Sequence, residues 1–383
     1  MKSKENIFVS VVMPCLNERK TVGLCVRKAI ETLQKLGLEG EVIVADNGST
    51  DGSADIARET GARVIYESRR GYGNAYRAGI AAARGDLIVI GDSDNSYDFG
   101  DIGRFIEKLR EGYDLVMGTR FHGTILKGAM PWSHRYIGNP LLTGILNLFF
   151  HTQISDAHCG MRAFTKEAFQ KMDLQTAGME FASEMVIKAA LAGLKITEIP
   201  ITLHPDGRGG PPHLRSFRDG WRHLRFMLLH SPTHLFLYPG AAVSLLGGLL
   251  MLGMLVTRRP LFGNSIDLHL MVVGSMLAIL GYQIILLGVY ARIYAVTHGF
   301  LPQSPLLSKL FRIFNLERGL ALGATIFIIG ALMGVLMLFL YAEHPNGYPL
   351  QLRLALLAST LIILGAQTVF SSFFLSMLGI ERK

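Results

Sequence analysis

Apolar residues are arranged in two ways along this chain. Up to Ile201 they come in short runs of strand length or at helical spacing; beyond Pro232 they come in long unbroken runs. Phe8–Pro14 (FVSVVMP) is a β-branched run stopped by proline, which predicts a first strand. Cys15 to Glu18 form the loop after it. Thr21 can cap a helix whose apolar positions Val22, Val26, Ile30 and Leu33 recur at helical spacing, with Gly37 and Gly40 ending it. Glu41–Asp46 predicts a second strand, followed by the turn and capping cluster Asn47-Gly48-Ser49-Thr50-Asp51-Gly52. Ala62–Tyr66, Leu87–Gly91 and Asp114–Gly118 predict three more strands, with an alanine-rich helix over Gly71–Arg84. Glu180 and Glu184 sit where a helix over Met185–Leu194 begins, the end at which the helix dipole favours acids. Lys195–Ile201 predicts an edge strand, because Pro200 cannot donate to a ladder. Strands alternating with helices define an α/β class with a doubly wound, mostly parallel sheet, whose ligands lie at the carboxyl ends of the strands.

Four uncharged apolar runs occupy the last third: Leu235–Thr257, Leu268–Ala291, Gly319–Ala342 and Leu354–Leu378. Each exceeds the roughly 20 residues that cross a bilayer's hydrocarbon core, so four transmembrane helices are expected. Just before them, Leu214, Phe217, Trp221, Leu224 and Leu228 fall on one helical stripe, with Arg215, Arg218, Arg222 and Arg225 on its neighbour. Apolar aromatics beside arginines are the pattern of a helix lying in the headgroup layer. The domain boundaries expected are 1–213 for a catalytic domain, 214–232 for the interfacial amphipathic helix and 233–383 for the membrane domain. His204, His213, His223 and His230 lack ligand spacing and read as surface or interfacial.

Composition sharpens this division. Of the 68 Asp, Glu, Lys and Arg residues, only 13 lie after Pro232. The N-terminus has no long apolar segment of signal-peptide type. Three cysteines, an odd and sparse set, argue for a reducing compartment over a disulfide framework. Lys and Arg flanking the spans concentrate on the side of the front domain and of the C-terminus, which places both termini and the front domain in the cytoplasm of a prokaryotic-type cell membrane. The net charge of +8 is modest, and no nucleic-acid partner is expected.

The candidate chemistry centres on Leu87–Asn95 (LIVIGDSDN), an apolar run delivering Asp92 and Asp94 to a sheet edge. Two carboxylates one residue apart can hold Mg²⁺ or Mn²⁺, cations that take one or two protein carboxylates plus substrate phosphates. A dinucleotide reading of Gly71-Tyr72-Gly73 fails, because Tyr76 stands where the third glycine should be and no strand precedes the pair.

Taken together and in order, VVMPCLNE, VADNGSTDGS, GDSDN and DAHCGMR resemble the family 2 glycosyltransferases of GT-A fold, and more narrowly the polyprenyl-phosphate glycosyltransferases. The resemblance covers roughly residues 7–232, and the trailing spans are similar to members that carry a membrane domain. It implies metal-dependent, inverting transfer of one hexose from a nucleotide sugar to a polyprenyl or dolichyl phosphate. UDP-glucose is the favoured donor and GDP-mannose the next. By the same resemblance Pro14, Asn17, Glu18, Asp46 and Gly73 would bind the nucleotide sugar together with Asp92. Asp92 and Asp94 would hold the metal. Arg120, Arg135 and Asn139 would meet the acceptor phosphate. Asp156, Arg162 and Glu184 would lie near the sugar and the departing diphosphate, although Asp156 with Arg162 is also open to reading as a structural ion pair. Relatives often carry a second Asp where Asn47 stands, which puts a nucleotide contact there in question. Arg215, Arg218, Trp221, Arg222 and Arg225 would meet the membrane surface.

Two rival functions are weighed. A processive polysaccharide synthase should carry a Gln-x-x-Arg-Trp helix, whereas Trp221 here follows Arg218-Asp219-Gly220. A transporter or scaffold should place charges inside its spans, and the four runs hold none. The spans are instead expected to anchor the enzyme in the lipid bilayer or to support a homo-oligomer.

Overall fold

A computed structural model describes residues 8–207, 216–256, 264–297, 301, 316–343 and 348–378. His213, Leu214 and Arg215 lie outside the described residues. The chain forms two compact units, Met1–Met227 and Leu228–Lys383.

The first unit is built on seven strands: β1 Val9–Cys15, β2 Gly40–Asp46, β3 Arg63–Tyr66, β4 Leu87–Ile90, β5 Leu115–Ile125, β6 Arg162–Thr165 and β7 Ile196–Leu203. Their order across the sheet is β3-β2-β1-β4-β6-β5-β7. β1 is an interior strand, parallel to both β2 and β4. Its run VSVVMPC is apolar without alternation because both faces are covered. Val9, Val11 and Met13 face one core, shared with α1 (Val22–Lys35) and α4 (Ile102–Arg110). Val12 faces the other, shared with α3 (Tyr72–Ala82) and α7 (Phe181–Leu191). Successive side chains of one strand thus serve two layers. The remaining helices of this unit are α2 Ser53–Glu59, α5 Asn139–Phe150, α6 Lys166–Met172 and most of α8 Ser216–Leu229.

Two features depart from the sequence pattern. The fifth strand does not stop at Gly118 but runs on to Ile125, pairing with β7 through a register shift between Thr119 and Thr124. That polar, glycine-bearing extension has no apolar period of its own; pairing with β7 is what holds it extended. Four-residue β6 enters antiparallel between β4 and β5. Its segment is too short to announce a strand locally.

In the second unit α9 spans Tyr238–Val256, α10 Asn264–Thr297, α11 Leu316–Glu343 and α12 Tyr348–Leu378. Four helical segments, Thr233–Val256, Ile266–Thr297, Leu316–Ala342 and Gln351–Leu378, are long and apolar enough to cross a membrane. They reach further than the expected runs, which themselves hold no charged residue, and so take in charges that flank those runs. Asp267 on α10 and Arg353 on α12 lie inside these segments, both buried, 3.3 Å apart. Arg353 also donates to the Met254 carbonyl near the end of α9, at 2.6 Å. Polar contacts continue along the same two helices as Ser275–Thr360 and Tyr282–Thr368, each 2.7 Å. In hydrocarbon such groups must find partners inside the protein, which is why these polar residues face one another.

Candidate active site

The carboxyl ends of β1, β2 and β4 assemble the site. Register sets Cys15 level with Asp46 and Val12 level with Ile90, so Asp92 emerges about level with Pro14. The Ser93 hydroxyl donates to the Pro14 carbonyl at 2.6 Å and ties the two strand ends together. Asn17 adopts a left-handed backbone (φ 58°). Its Oδ1 accepts the Thr50 N–H at 2.9 Å, and its own N–H donates to Ser49 Oγ at 3.0 Å. Glu18 is buried, with its N–H on Ser53 Oγ at 2.8 Å.

Asp46 is buried at the end of β2. Its Oδ2 accepts the N–H groups of Gly48 and Ser49, each at 3.2 Å. Its Oδ1 is buried with no partner. A buried carboxylate oxygen left unmatched costs roughly 1–3 kcal/mol or more. Neighbouring Asn47 is fully engaged elsewhere. Its Nδ2 donates to the carbonyls of Glu67 (2.9 Å) and Arg69 (3.0 Å), and its Oδ1 accepts the Gly71 N–H (2.7 Å). It fastens the strand end to the loop before α3.

Asp92 Oδ1 accepts hydroxyls from Tyr72 (2.9 Å) and Tyr76 (3.2 Å). Burial, then the Asp92 charge, raises both phenols well above their ordinary range and keeps them protonated as donors. Asp94 Oδ1 accepts the Ser96 N–H at 2.9 Å. Among the described residues no cluster of three or more His, Cys, Asp or Glu could cage a metal. Two carboxylates at a strand end fit a hard cation that takes its other ligands from water and phosphate, not a zinc-type cage.

Of the later site residues, Arg120, Asp156, Arg162 and Glu184 are each buried and held by protein groups. Arg120, expected to face an acceptor phosphate, is buried and gripped by Asp156: Nε to Oδ2 is 2.6 Å and Nη2 to Oδ1 is 2.7 Å. Asp156, which the sequence left open to pairing with Arg162, therefore pairs with Arg120. Burial opposes the Arg120 charge, but the adjoining carboxylate more than offsets it and raises the guanidinium's pKa. Glu198 of β7 holds the same loop through the N–H groups of Ser155 (2.8 Å) and Asp156 (3.1 Å). Arg162 is buried and spends Nε, Nη1 and Nη2 on the carbonyls of Cys159, Ala182 and Ala157 at 2.7–2.9 Å. Glu184 is buried too. Its carboxylate accepts Gln175 N–H (2.9 Å), Thr176 N–H (2.8 Å) and Thr176 Oγ1 (2.6 Å), with Lys188 at 3.1 Å. Gly73 is required by a close approach, since a Cβ there would lie 2.3 Å from the Thr176 carbonyl oxygen. Cys159 is buried, and burial pushes its thiol up to about 12.

Arg135 is exposed in the helical turn before α5, its guanidinium 5.5 Å from the Tyr136 ring centre. Asn139 lies at the start of α5, with Nδ2 3.7 Å from Met130 Sδ. Around them Trp132 (67% exposed), Tyr136, Ile137, Leu141 and Leu148 (63%) stand out from the unit. On α8, Phe217 (93% exposed) and Trp221 are likewise bare, beside Arg218 and Arg225. The opposite face of α8 packs inward through Asp219, His223 and Met227. His223 is thus not a surface residue. Its Nδ1 lies 2.7 Å from Ser183 Oγ, which is 3.4 Å from His158 Nε2. Burial lowers His158 well below the usual range and takes His223 down to about 4. Sequence reasoning missed Tyr72, Tyr76, Ser183 and His223; only the i, i+4 spacing of the two tyrosines hinted at a shared target.

Carboxylates thus stand at the carboxyl edge of a doubly wound, mostly parallel sheet, and four apolar helices of membrane length follow it in the chain. Residues 10–173 match the glycosyl transferase family 2 domain, and residues 289–379 match the glycosyltransferase family 2 C-terminal transmembrane region. A low-salt glycan biosynthesis hexosyltransferase, Agl6 of Haloferax volcanii, is 39% identical over 97% of this chain and 89% of its own. The chain belongs to glycosyltransferase family 2. A dolichyl-phosphate hexose transferase of the same organism is 30% identical over 55% of this chain and 89% of that protein. Glucosyl-3-phosphoglycerate synthase from Mycobacterium tuberculosis is similar at 23% identity, with a TM-score of 0.47 over 58% of this chain and 79% of that one. A likeness that slight does not bear on the reaction.

Proposed function

We propose that this glycosyltransferase moves a single hexose from a nucleotide sugar, UDP-glucose first and GDP-mannose next, to a polyprenyl or dolichyl phosphate at the cytoplasmic face of the membrane. The observation that carries this reading is the carboxyl edge of the sheet, which bears the unmatched Asp46 Oδ1 at the end of β2 and the Asp92/Asp94 pair just after β4. Asp46 takes a donor from the base or ribose, and Pro14, Asn17, Glu18 and Gly73 shape the pocket. Mg²⁺ or Mn²⁺ held by Asp92 and Asp94 would supply positive charge where the departing diphosphate becomes more negative.

A lipid acceptor is favoured by the bare apolar residues around Arg135 and by the exposed Phe217 and Trp221 beside the α8 arginines. Arginine pairs phosphate oxygens in a planar fork, and Arg135 is the exposed candidate for that work, with Asn139 nearby. Arg120, Asp156, Arg162 and Glu184 support the site's walls. Arg218, Trp221, Arg222 and Arg225 meet the headgroup layer. The relative named for dolichyl phosphate points to the same acceptor class. A phosphate monoester is already anionic near neutral pH, so no general base is required. Its oxygen forms a bond to the anomeric carbon while the bond to the nucleoside diphosphate breaks on the opposite face, inverting that centre.

The test uses the full chain in detergent with Mn²⁺, a polyprenyl phosphate and radiolabelled UDP-glucose or GDP-mannose, followed by organic extraction. Label is expected in the lipid phase from one donor and to vanish in Asp94→Ala. Lipid labelling that survives Asp94→Ala would overturn the cation reading, and folded protein that labels no lipid from any nucleotide sugar would overturn the acceptor reading.

A further inference from the structure

Tyr72 and Tyr76 stand one turn apart on α3, so their side chains project from the same face. Their rings meet edge to face at 4.9 Å, and Tyr76 stacks on Phe181 at 5.6 Å. Both hydroxyls reach one oxygen of Asp92. On the other side of that carboxylate is Gly160, where a Cβ would lie 2.6 Å from Asp92 Oδ2. The Asp92 side chain is thereby bounded on both sides.

The tyrosines are themselves held. α3 is preceded by its cap residue Gly71 (φ 144°), where a Cβ would lie 2.2 Å from the Ala177 carbonyl oxygen. The Gly73 N–H donates to that same carbonyl at 2.9 Å. The loop carrying Thr176 and Ala177 is fastened in turn by the Glu184 carboxylate. A continuous line of direct contacts therefore leads from Glu184 through the loop and the first turn of α3 to Asp92.

We propose that Tyr72 and Tyr76 are positioning residues that set the Asp92 carboxylate for cation binding, and that Glu184 acts through them and not on the sugar. This rests on the reading of Asp92 and Asp94 as cation ligands. A ligand oriented beforehand loses little freedom when cation and nucleotide arrive, so binding is tighter than for a freely turning carboxylate. Groups that orient a metal ligand typically change metal affinity or activity by about 10–100-fold when removed.

Tyr72→Phe, Tyr76→Phe and the double variant delete only hydroxyls and leave the rings in place. On the full-length protein in detergent with UDP, Mn²⁺ binding is followed by the electron paramagnetic resonance signal of free Mn²⁺. Each single variant is expected to weaken binding several-fold, and the double variant by about 10–100-fold. Glu184→Gln is expected to weaken it in the same direction. In the transfer assay the rate should return as Mn²⁺ is raised, with the KM for nucleotide sugar at saturating Mn²⁺ close to that of the parent. A purely structural role would not give that rescue. Binding by Tyr72→Phe/Tyr76→Phe equal to the parent, while Asp94→Ala abolishes it, overturns the proposal alone. A parent protein that binds no Mn²⁺ with UDP overturns the cation reading and the proposal with it. Should the double variant not fold, each single variant, which keeps one hydroxyl on Oδ1, carries the test.

Discussion

Arg120 grips both oxygens of Asp156, Nε on Oδ2 and Nη2 on Oδ1, and its own backbone N–H adds a third bond to Oδ2 at 3.0 Å. Residues 36 apart in sequence thus lock β5 to the loop before β6. Removing one partner of a buried pair strands the other charge, at a cost of about 3–5 kcal/mol. Arg120→Ala is accordingly expected to lower the melting temperature sharply. Arg120→Lys should fall in between, since a lysine keeps the charge but not the fork. Thermal unfolding in detergent reads this, and an Arg120→Ala protein as stable as the parent would show the pair to be idle.

Asn47 makes three hydrogen bonds that only an amide in this orientation can make together. Asn47→Asp would turn a carboxylate oxygen toward the carbonyls of Glu67 and Arg69 and leave them unmet. A loss of at least about 1–3 kcal/mol follows. Asn47→Ala should cost less than Asn47→Asp, because it adds no buried charge. Melting temperatures in the reverse order would mean that the site welcomes a second acid.

His223 ties α8 to α7 through Ser183, and burial takes its pKa to about 4. An unfolded histidine titrates near 6.5, so between these values the unfolded chain binds more protons than the folded one. Asp219, itself 3.7 Å from Arg218 and from Arg222, opposes the shift, Arg162 adds to it, and the His158 ring meets that of His223 edge to face. Stability from this docking is full above about pH 6.5 and is lost as pH falls toward 4. His223→Gln, which does not titrate there, should flatten that part of the stability-against-pH curve. An unchanged slope would place the acid sensitivity elsewhere, with buried His158 the next group to replace.

What the sequence determined by itself is what local pattern encodes. Unbroken β-branched runs marked β1, β2 and β4 as buried strands, and the acids that end them, Asp46, Asp92 and Asp94, came to one edge because parallel strands share their carboxyl ends. The four membrane-length helices were legible for the same reason, since length and apolarity are properties of a single segment. Tertiary structure decided what depends on a partner. The polar extension of β5 is a strand only because β7 pairs with it, and four-residue β6 only because β4 and β5 flank it. Asp156 could have met Arg162 nearby in sequence, yet the fold brings it Arg120 and turns Arg162 onto backbone carbonyls. Glu184, Tyr72 and Tyr76 became supports of Asp92 through a loop that no motif marks, and Asp267 and Arg353 met across two helices. A side chain's type states which bonds it can make; which bond it does make is set by the groups that packing places within about 3 Å of it.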